Sequence, residues 1–243
     1  MPGPTRPLRK LGFLTIGLFD PADPARGHET TLQIIELGER LGFDSAWLRH
    51  RHLQFGISSP IAVMAAASQR TSRIELGTAV TPLGWENPLR LAEDLATVDL
   101  LAGGRINPGL SVGEPMHYDT VKQVLYPDSS ELEDFSYVRV DRLARLIAGE
   151  TVRDFSGRQG VVEEYITRAP QGPKGMLFAP DLIGTSEEIA EQLYAHAGFQ
   201  EVDEVAFALP FSFDHEDYTQ ILTDIARKLG PALGWNPAQH LSP

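Results

Sequence analysis

Two histidines one residue apart, His50 and His52, flank Arg51 just after a short apolar run. Two imidazoles and a guanidinium at a strand end can hold or pass a proton, or stabilise an anion, because imidazole ordinarily changes charge near neutral pH. A purely local role, capping backbone, is the competing reading. Side chains two apart on a strand share a face, so the same pair also has the spacing of two metal-ligating histidines, with Asp214-His215 following a later strand. Two further apolar runs end in small residues, Ala79, Val80 and Thr81 in one and Ser111, Val112 and Gly113 in the other. Trp85 and Phe211, with Phe213, can wall a pocket against water or simply fill a core. His117 supplies another imidazole beside the second small-residue turn. Arg90, Glu93 and Asp94 stand at helical spacing and read as ion pairs on a helix face, worth a few tenths of a kcal/mol each. The chain has no cysteine, so there is no thiolate nucleophile and no Cys-ligated centre, and redox chemistry has to come from a borrowed cofactor.

The elements that must position these residues alternate. A strand from Lys10 up to the loop at Asp20-Pro21 precedes a helix over residues 28–42, where Gly42 suits a helix C-terminus. Residues 45–48 form a second strand, Ser59-Pro60 opens a helix over 61–69, and 74–80 make a third strand. A helix over 88–101 stops at Gly103-Gly104, a fourth strand covers 106–112, and a fourth helix spans 135–148. Strands alternating with helices at this interval predict a parallel sheet, since each parallel crossover needs a covering helix. The rhythm breaks after a short strand at 161–166, where Pro- and Gly-rich residues 168–175 exclude a helix interior. It resumes with Thr185-Ser186-Glu187-Glu188 as a helix start, a helix to about residue 197, a strand over 204–211 and a last helix over 218–229. About six strand candidates stand against the eight of a complete barrel.

Four segments, in order, resemble the luciferase-like flavin-dependent monooxygenases of the bacterial luciferase superfamily: Leu41-Gly-Phe-Asp-Ser-Ala-Trp-Leu48 with histidines after it, Ile74-Glu-Leu-Gly-Thr-Ala-Val80, Asn87-Pro-Leu-Arg-Leu-Ala-Glu-Asp94, and Leu101-Ala-Gly-Gly-Arg-Ile-Asn-Pro-Gly109. Gly184-Thr-Ser-Glu-Glu-Ile-Ala-Glu-Gln192 resembles the family's seventh helix. The resemblance implies a TIM-barrel-like α/β fold in one domain over 1–243, incomplete, with strands missing between units four and eight and a deletion near 169–176. It implies an enzyme that uses reduced FMN and O2 to oxygenate a small organic substrate, with a deazaflavin as the alternative cofactor. On this reading Ala79, Val80, Thr81, Ser111, Val112 and Gly113 bind the cofactor, while Trp85, His117 and Phe211 line the substrate pocket. His50, Arg51 and His52 are the catalytic candidates, and no metal is assigned. Two departures stand out. Where luciferases read Glu-His-His this chain reads His50-Arg51-His52, with Arg51 in place of the reactive histidine, and Val112 stands where they carry an arginine for the flavin phosphate.

Two rival readings accompany this one: a catalytically impaired flavin-binding or structural homologue, and a metal-dependent barrel hydrolase built on His50 and His52. A formal charge of -12 argues against nucleic acid or anionic membrane as partners, because both repel an acidic surface. The expected partners are a small-molecule substrate, a separate flavin reductase, which the resemblance implies and the lack of a GxGxxG fingerprint fits, and a second copy covering the open sheet edge. No secretory signal is apparent, so a cytoplasmic location is expected.

Overall fold

A computed structural model describes residues 7–17, 19–150, 182–209 and 214–237. Five strands form one wholly parallel sheet: β1 (Lys10–Thr15), β2 (Ser45–Leu48), β3 (Glu75–Pro82), β4 (Ile106–Ser111) and β5 (Glu204–Ala208). Their order is β4-β3-β2-β1-β5. The last strand thus lies beside the first, as closure of a barrel requires, and the barrel is not closed among the described residues. Pro108 falls within β4, at the sheet's margin, where a missing N–H is tolerated.

Helices α1 (Pro24–Leu41), α2 (Pro60–Ser68) and α3 (Pro88–Ala102) each begin with proline at the first turn, where the absent N–H costs nothing. Asp23 caps α1 by accepting from the Arg26 N–H, and Asn87 caps α3 by accepting from the N–H groups of Leu89 and Arg90. Left-handed Gly42 and Gly103 end these two helices. The cap at Asp23 starts α1 four residues earlier than its apolar spacing suggests. Beyond β4 come α4 (Tyr118–Leu125), which the sequence pattern does not announce, and α5 (Val138–Ile147). Helix α6 (Ser186–Ala195) opens with the capping box of Thr185 and Glu188 that its sequence predicts. Helix α7 (His215–Asp224) runs on into a π-helical turn over Ile225–Leu229. The expected strand at 161–166 and the deletion near 169–176 lie outside the described residues.

One face of the sheet carries the core. Leu11 and Phe13 of β1, Ala46 and Leu48 of β2 and Leu76 of β3 are buried with Ile34 and Ile35 of α1, Met64 of α2 and Leu95 of α3. Phe13 meets Phe43 edge-on at 5.3 Å. Trp235, 1% exposed, donates from Nε1 to Asp44 Oδ2 at 2.8 Å, and the same oxygen accepts from the Leu11 N–H. On α1, the Glu39 carboxylate accepts the backbone N–H groups of Ser72, Arg73 and Ile74 and so ties the helix to the entrance of β3. Burial alone would raise the Glu39 pKa, but these backbone donors outweigh it and hold the carboxyl below its ordinary value.

The other face is polar at its N-terminal end. Glu75 binds Lys10 Nζ at 2.6 Å and Asn107 Nδ2 at 2.8 Å, while Ser45 Oγ donates to Glu204 and accepts from Trp47 Nε1. No described helix is long and apolar enough to cross a membrane.

Candidate active site

The C-terminal ends of β2, β3 and β4 open on a single cleft of about 740 Å³, within the usual range for small-molecule sites. The segment after β2 brings Arg49, His50, Arg51 and His52 to it, and is held by the Arg51 N–H donating to Ile57 O at 2.8 Å. The end of β3 supplies Ala79 and Val80, joined by a cis peptide. The 3₁₀ turn Leu83–Trp85 adds Trp85, and the end of β4 adds Ser111, Val112 and Gly113, with His117 just before α4. Ten of the positions read from the sequence therefore share one cleft: His50, Arg51, His52, Ala79, Val80, Trp85, Ser111, Val112, Gly113 and His117.

One does not join them, and one cannot be compared. Thr81 is 1% exposed, and its Oγ1 donates to Thr78 Oγ1 at 3.0 Å inside the core. The reason is a bulge. Thr78 pairs with Pro108 and Thr81 with Leu110, so three steps on β3 oppose two on β4. The extra residue inverts the alternation, and Thr81, which period-two counting puts on the side of Ala79, turns to the side of Thr78. Phe211, like Phe213, lies outside the described residues.

Three rings stack along the cleft floor. His52 lies 4.3 Å from Trp85 with 7° between planes, and His50 lies 4.7 Å from His52 at 24°. The His50 side chain is 4% exposed, and its Nε2 stands 3.9 Å from Glu86 Oε1. His50 Nδ1 and His52 Nε2 are buried without a hydrogen-bond partner. Burial first, and then the neighbouring His52, brings the His50 pKa down to about 4. Burial also lowers that of His52. Burial, reinforced by the Asp94 charge, pushes the Glu86 carboxyl up to about 7. The imidazole is thus uncharged near neutral pH, and the His50–Glu86 contact is not an ion pair there.

Arg139 of α5, which sequence reasoning missed, holds the turn that carries Trp85 and Glu86. It is 4% exposed and donates to the carbonyls of Leu83 and Glu86 at 3.2 Å and of Asp134 at 2.7 Å. Its remaining nitrogen meets Glu133 Oε2 at 2.6 Å, and the guanidinium lies over the rings of Phe135 and Tyr126. Gly84 lets the turn press against the opposite loop, since a Cβ there would sit 2.7 Å from Gly113 O. Glu86 was missed as well. It is one carboxylate in a loop that the sequence marks only for its tryptophan and its helix cap.

At the rim, Arg49 and Arg51 place cationic groups in a protein of net charge -12. Burial, and then the charge of Arg49, lowers the Arg51 pKa. Glu114 on the opposite loop partly offsets them. The cleft thus combines flat aromatic surface, small residues at two strand ends, buried imidazoles and a basic rim. That set suits a planar ligand with an anionic arm.

Comparison with known proteins gives a consistent picture. A family model described as luciferase-like monooxygenase matches residues 11–171. Limonene 1,2-monooxygenase of Rhodococcus erythropolis is 33% identical over 142 residues, which are 57% of this chain and 36% of that protein. An F420-dependent glucose-6-phosphate dehydrogenase of Kribbella flavida is 35% identical over 130 residues, 51% of this chain and 36% of that one. The chain matches about a third of the length of these curated relatives. Among solved structures, apo-MsnO8 superposes with a TM-score of 0.68 at 15% identity, covering 94% of this chain and 99% of that one. Monooxygenase RslO1 of Streptomyces bottropensis gives 0.51 at 23% identity, over 94% and 68% of the respective chains. At these identities the structural likeness speaks for the fold alone.

Proposed function

Since this chain belongs to the luciferase-like monooxygenase family, we propose that its cleft binds reduced FMN and uses O2 to oxygenate a small organic substrate. The observation that carries the proposal is the convergence of three adjacent strand ends on one cleft lined by small, aromatic, imidazole and guanidinium side chains. The residues fit the group. Ala79 and Ser111 put small side chains at strand ends, so a flat ring can approach the backbone there, and the His52–Trp85 stack offers a second planar surface. Arg49 and Arg51 give the rim the positive charge that a phosphate arm needs, in place of the charge that Val112 does not supply.

When bound, the flavin supplies the redox chemistry. The chain supplies the setting. Trp85 covers the floor against water, and His50 and His52, with buried nitrogens free of competing hydrogen bonds, are the groups that accept or return a proton beside the ring. His117 at the far loop faces the substrate side. Reduced flavin reaches the cleft from a separate reductase, and a second copy of the chain covers the open side of the sheet.

Relatives named for F420 make a deazaflavin the alternative cofactor. Anaerobic titration of the protein with reduced FMN and, separately, reduced F420, followed by tryptophan quenching, discriminates the two. Saturable one-to-one binding of FMN at about micromolar affinity, followed by substrate-dependent O2 consumption, is the expected result. Binding of F420 alone transfers the reading to a deazaflavin enzyme, and binding of neither overturns it.

A further inference from the structure

Glu86 adds a carboxylate to a histidine pair that the sequence reading left without a metal. One potential ligand atom from each of His50, His52 and Glu86 lies within 4.8 Å of the other two. We propose that these three side chains form a binding site for a divalent first-row transition ion of the zinc type, beneath the floor of the cleft. This inference does not depend on the flavin reading.

The donor set selects the ion. Two imidazole nitrogens and one carboxylate oxygen suit zinc, cobalt, nickel or iron(II), whereas magnesium and calcium favour an all-oxygen shell. The ligands surround a tetrahedral zinc at about 2.0–2.2 Å, which sets them about 3.4 Å apart. The present separations therefore need a contraction of about an ångström, within reach of χ rotations at the half-buried His52 and Glu86. Both histidines have a buried nitrogen without a hydrogen-bond partner, His50 Nδ1 and His52 Nε2, which is costly for an imidazole and calls for a ligand.

Support and access are also present. Trp85 backs the His52 ring, and Arg139 grips the Glu86 carbonyl, so two of the three ligands sit on braced backbone or stacked faces. His50 and Glu86 also line a second cavity of about 320 Å³, together with Asp94 and Ser59. That cavity gives a hydrated cation a route to two of the three ligands. Three protein ligands leave a coordination position open. An ion there occupies both imidazoles, so its binding and their proton handling exclude each other.

The test is equilibrium dialysis of the full chain against Zn2+ at pH 7.5 in millimolar Mg2+, with metal quantified in both compartments and Co2+ absorbance recorded in parallel. One equivalent of zinc, unaffected by Mg2+, and the intense visible bands of four-coordinate cobalt are expected. His52→Asn and Glu86→Gln should each weaken binding by at least about 10-fold, with circular dichroism unchanged, while His215→Asn should not. Less than stoichiometric zinc, six-coordinate cobalt spectra, or zinc retained fully in His52→Asn and Glu86→Gln overturns the site. The cobalt spectrum is read on the unaltered protein and decides the matter even where a variant fails to fold.

Discussion

The imidazole of His52 lies flat on the indole of Trp85, with centroids 4.3 Å apart and planes within 7°. The two rings come from different loops, after β2 and after β3, so the stack joins two walls of the cleft as well as furnishing its floor. Such a contact is worth about 0.5–1.5 kcal/mol beyond the area it buries.

Trp85→Ala should therefore cost little stability but unseat His52, weakening flavin binding by up to about 10-fold. Trp235→Ala, at a core position with its Nε1 bonded to Asp44, should do the reverse, costing about 3–5 kcal/mol and leaving the affinity of the remaining folded protein unchanged. Urea unfolding and flavin titration of both variants measure the contrast. Equal stability losses would place Trp85 in the core rather than at the site.

Arg139 satisfies three carbonyls and one carboxylate from a buried position. Arg139→Met removes the charge and the donors it gives those acceptors, and should destabilise the fold by about 3–5 kcal/mol. Because the grip falls on the Leu83–Glu86 turn, hydrogen exchange in that turn should rise more than in α1. Uniform exchange across both would mean that the arginine contributes only general stability.

The Glu39 carboxyl has its pKa depressed by the backbone donors of residues 72–74. The unfolded chain then binds the proton more readily than the native one. The stability that Glu39 contributes is thus complete above its ordinary pKa and is lost as the pH falls through the lower folded value. Glu39→Gln should cost roughly 1–3 kcal/mol at pH 7, and the gap between variant and parent should narrow below about pH 4. Urea midpoints measured from pH 7 down to 3 give the comparison, and a gap that widens on acidification would contradict the assignment.

The family resemblance sets Val112 where luciferases carry an arginine for the flavin phosphate, and Val112 lines the cleft. Val112→Arg should tighten FMN binding by about 10-fold through a charge-assisted contact, with no gain for riboflavin, which lacks the phosphate. An equal gain for both ligands would show that the new side chain does not reach a phosphate.

The fold was legible where it depends on local chemistry. Apolar runs marked all five described strands, and Pro60, Pro88, Gly42, Gly103 and Thr185 marked helix ends that the structure bears out. The cleft was legible in outline because parallel strands deliver their C-terminal residues to one side. What stayed hidden depends on contacts distant in sequence. Arg139 reads as one more charge on an amphipathic helix until α5 is folded against the Leu83–Trp85 turn, and Glu86 acquires its raised pKa only from burial beside His50 and Asp94. Thr81 was grouped with Ala79 and Val80 because the resemblance takes that strand end as one segment, whereas the bulge opposite Pro108 and Gly109 turns Thr81 into the core.

That bulge also divides β3 into two independently anchored rulers. The segment before it is registered against Ile106–Pro108 and the core, and the segment after it against Leu110 and Ser111. A change of one residue at the joint would be absorbed locally instead of sliding the whole strand, so the mouth of the cleft can vary in sequence and shape while the buried half keeps its alignment.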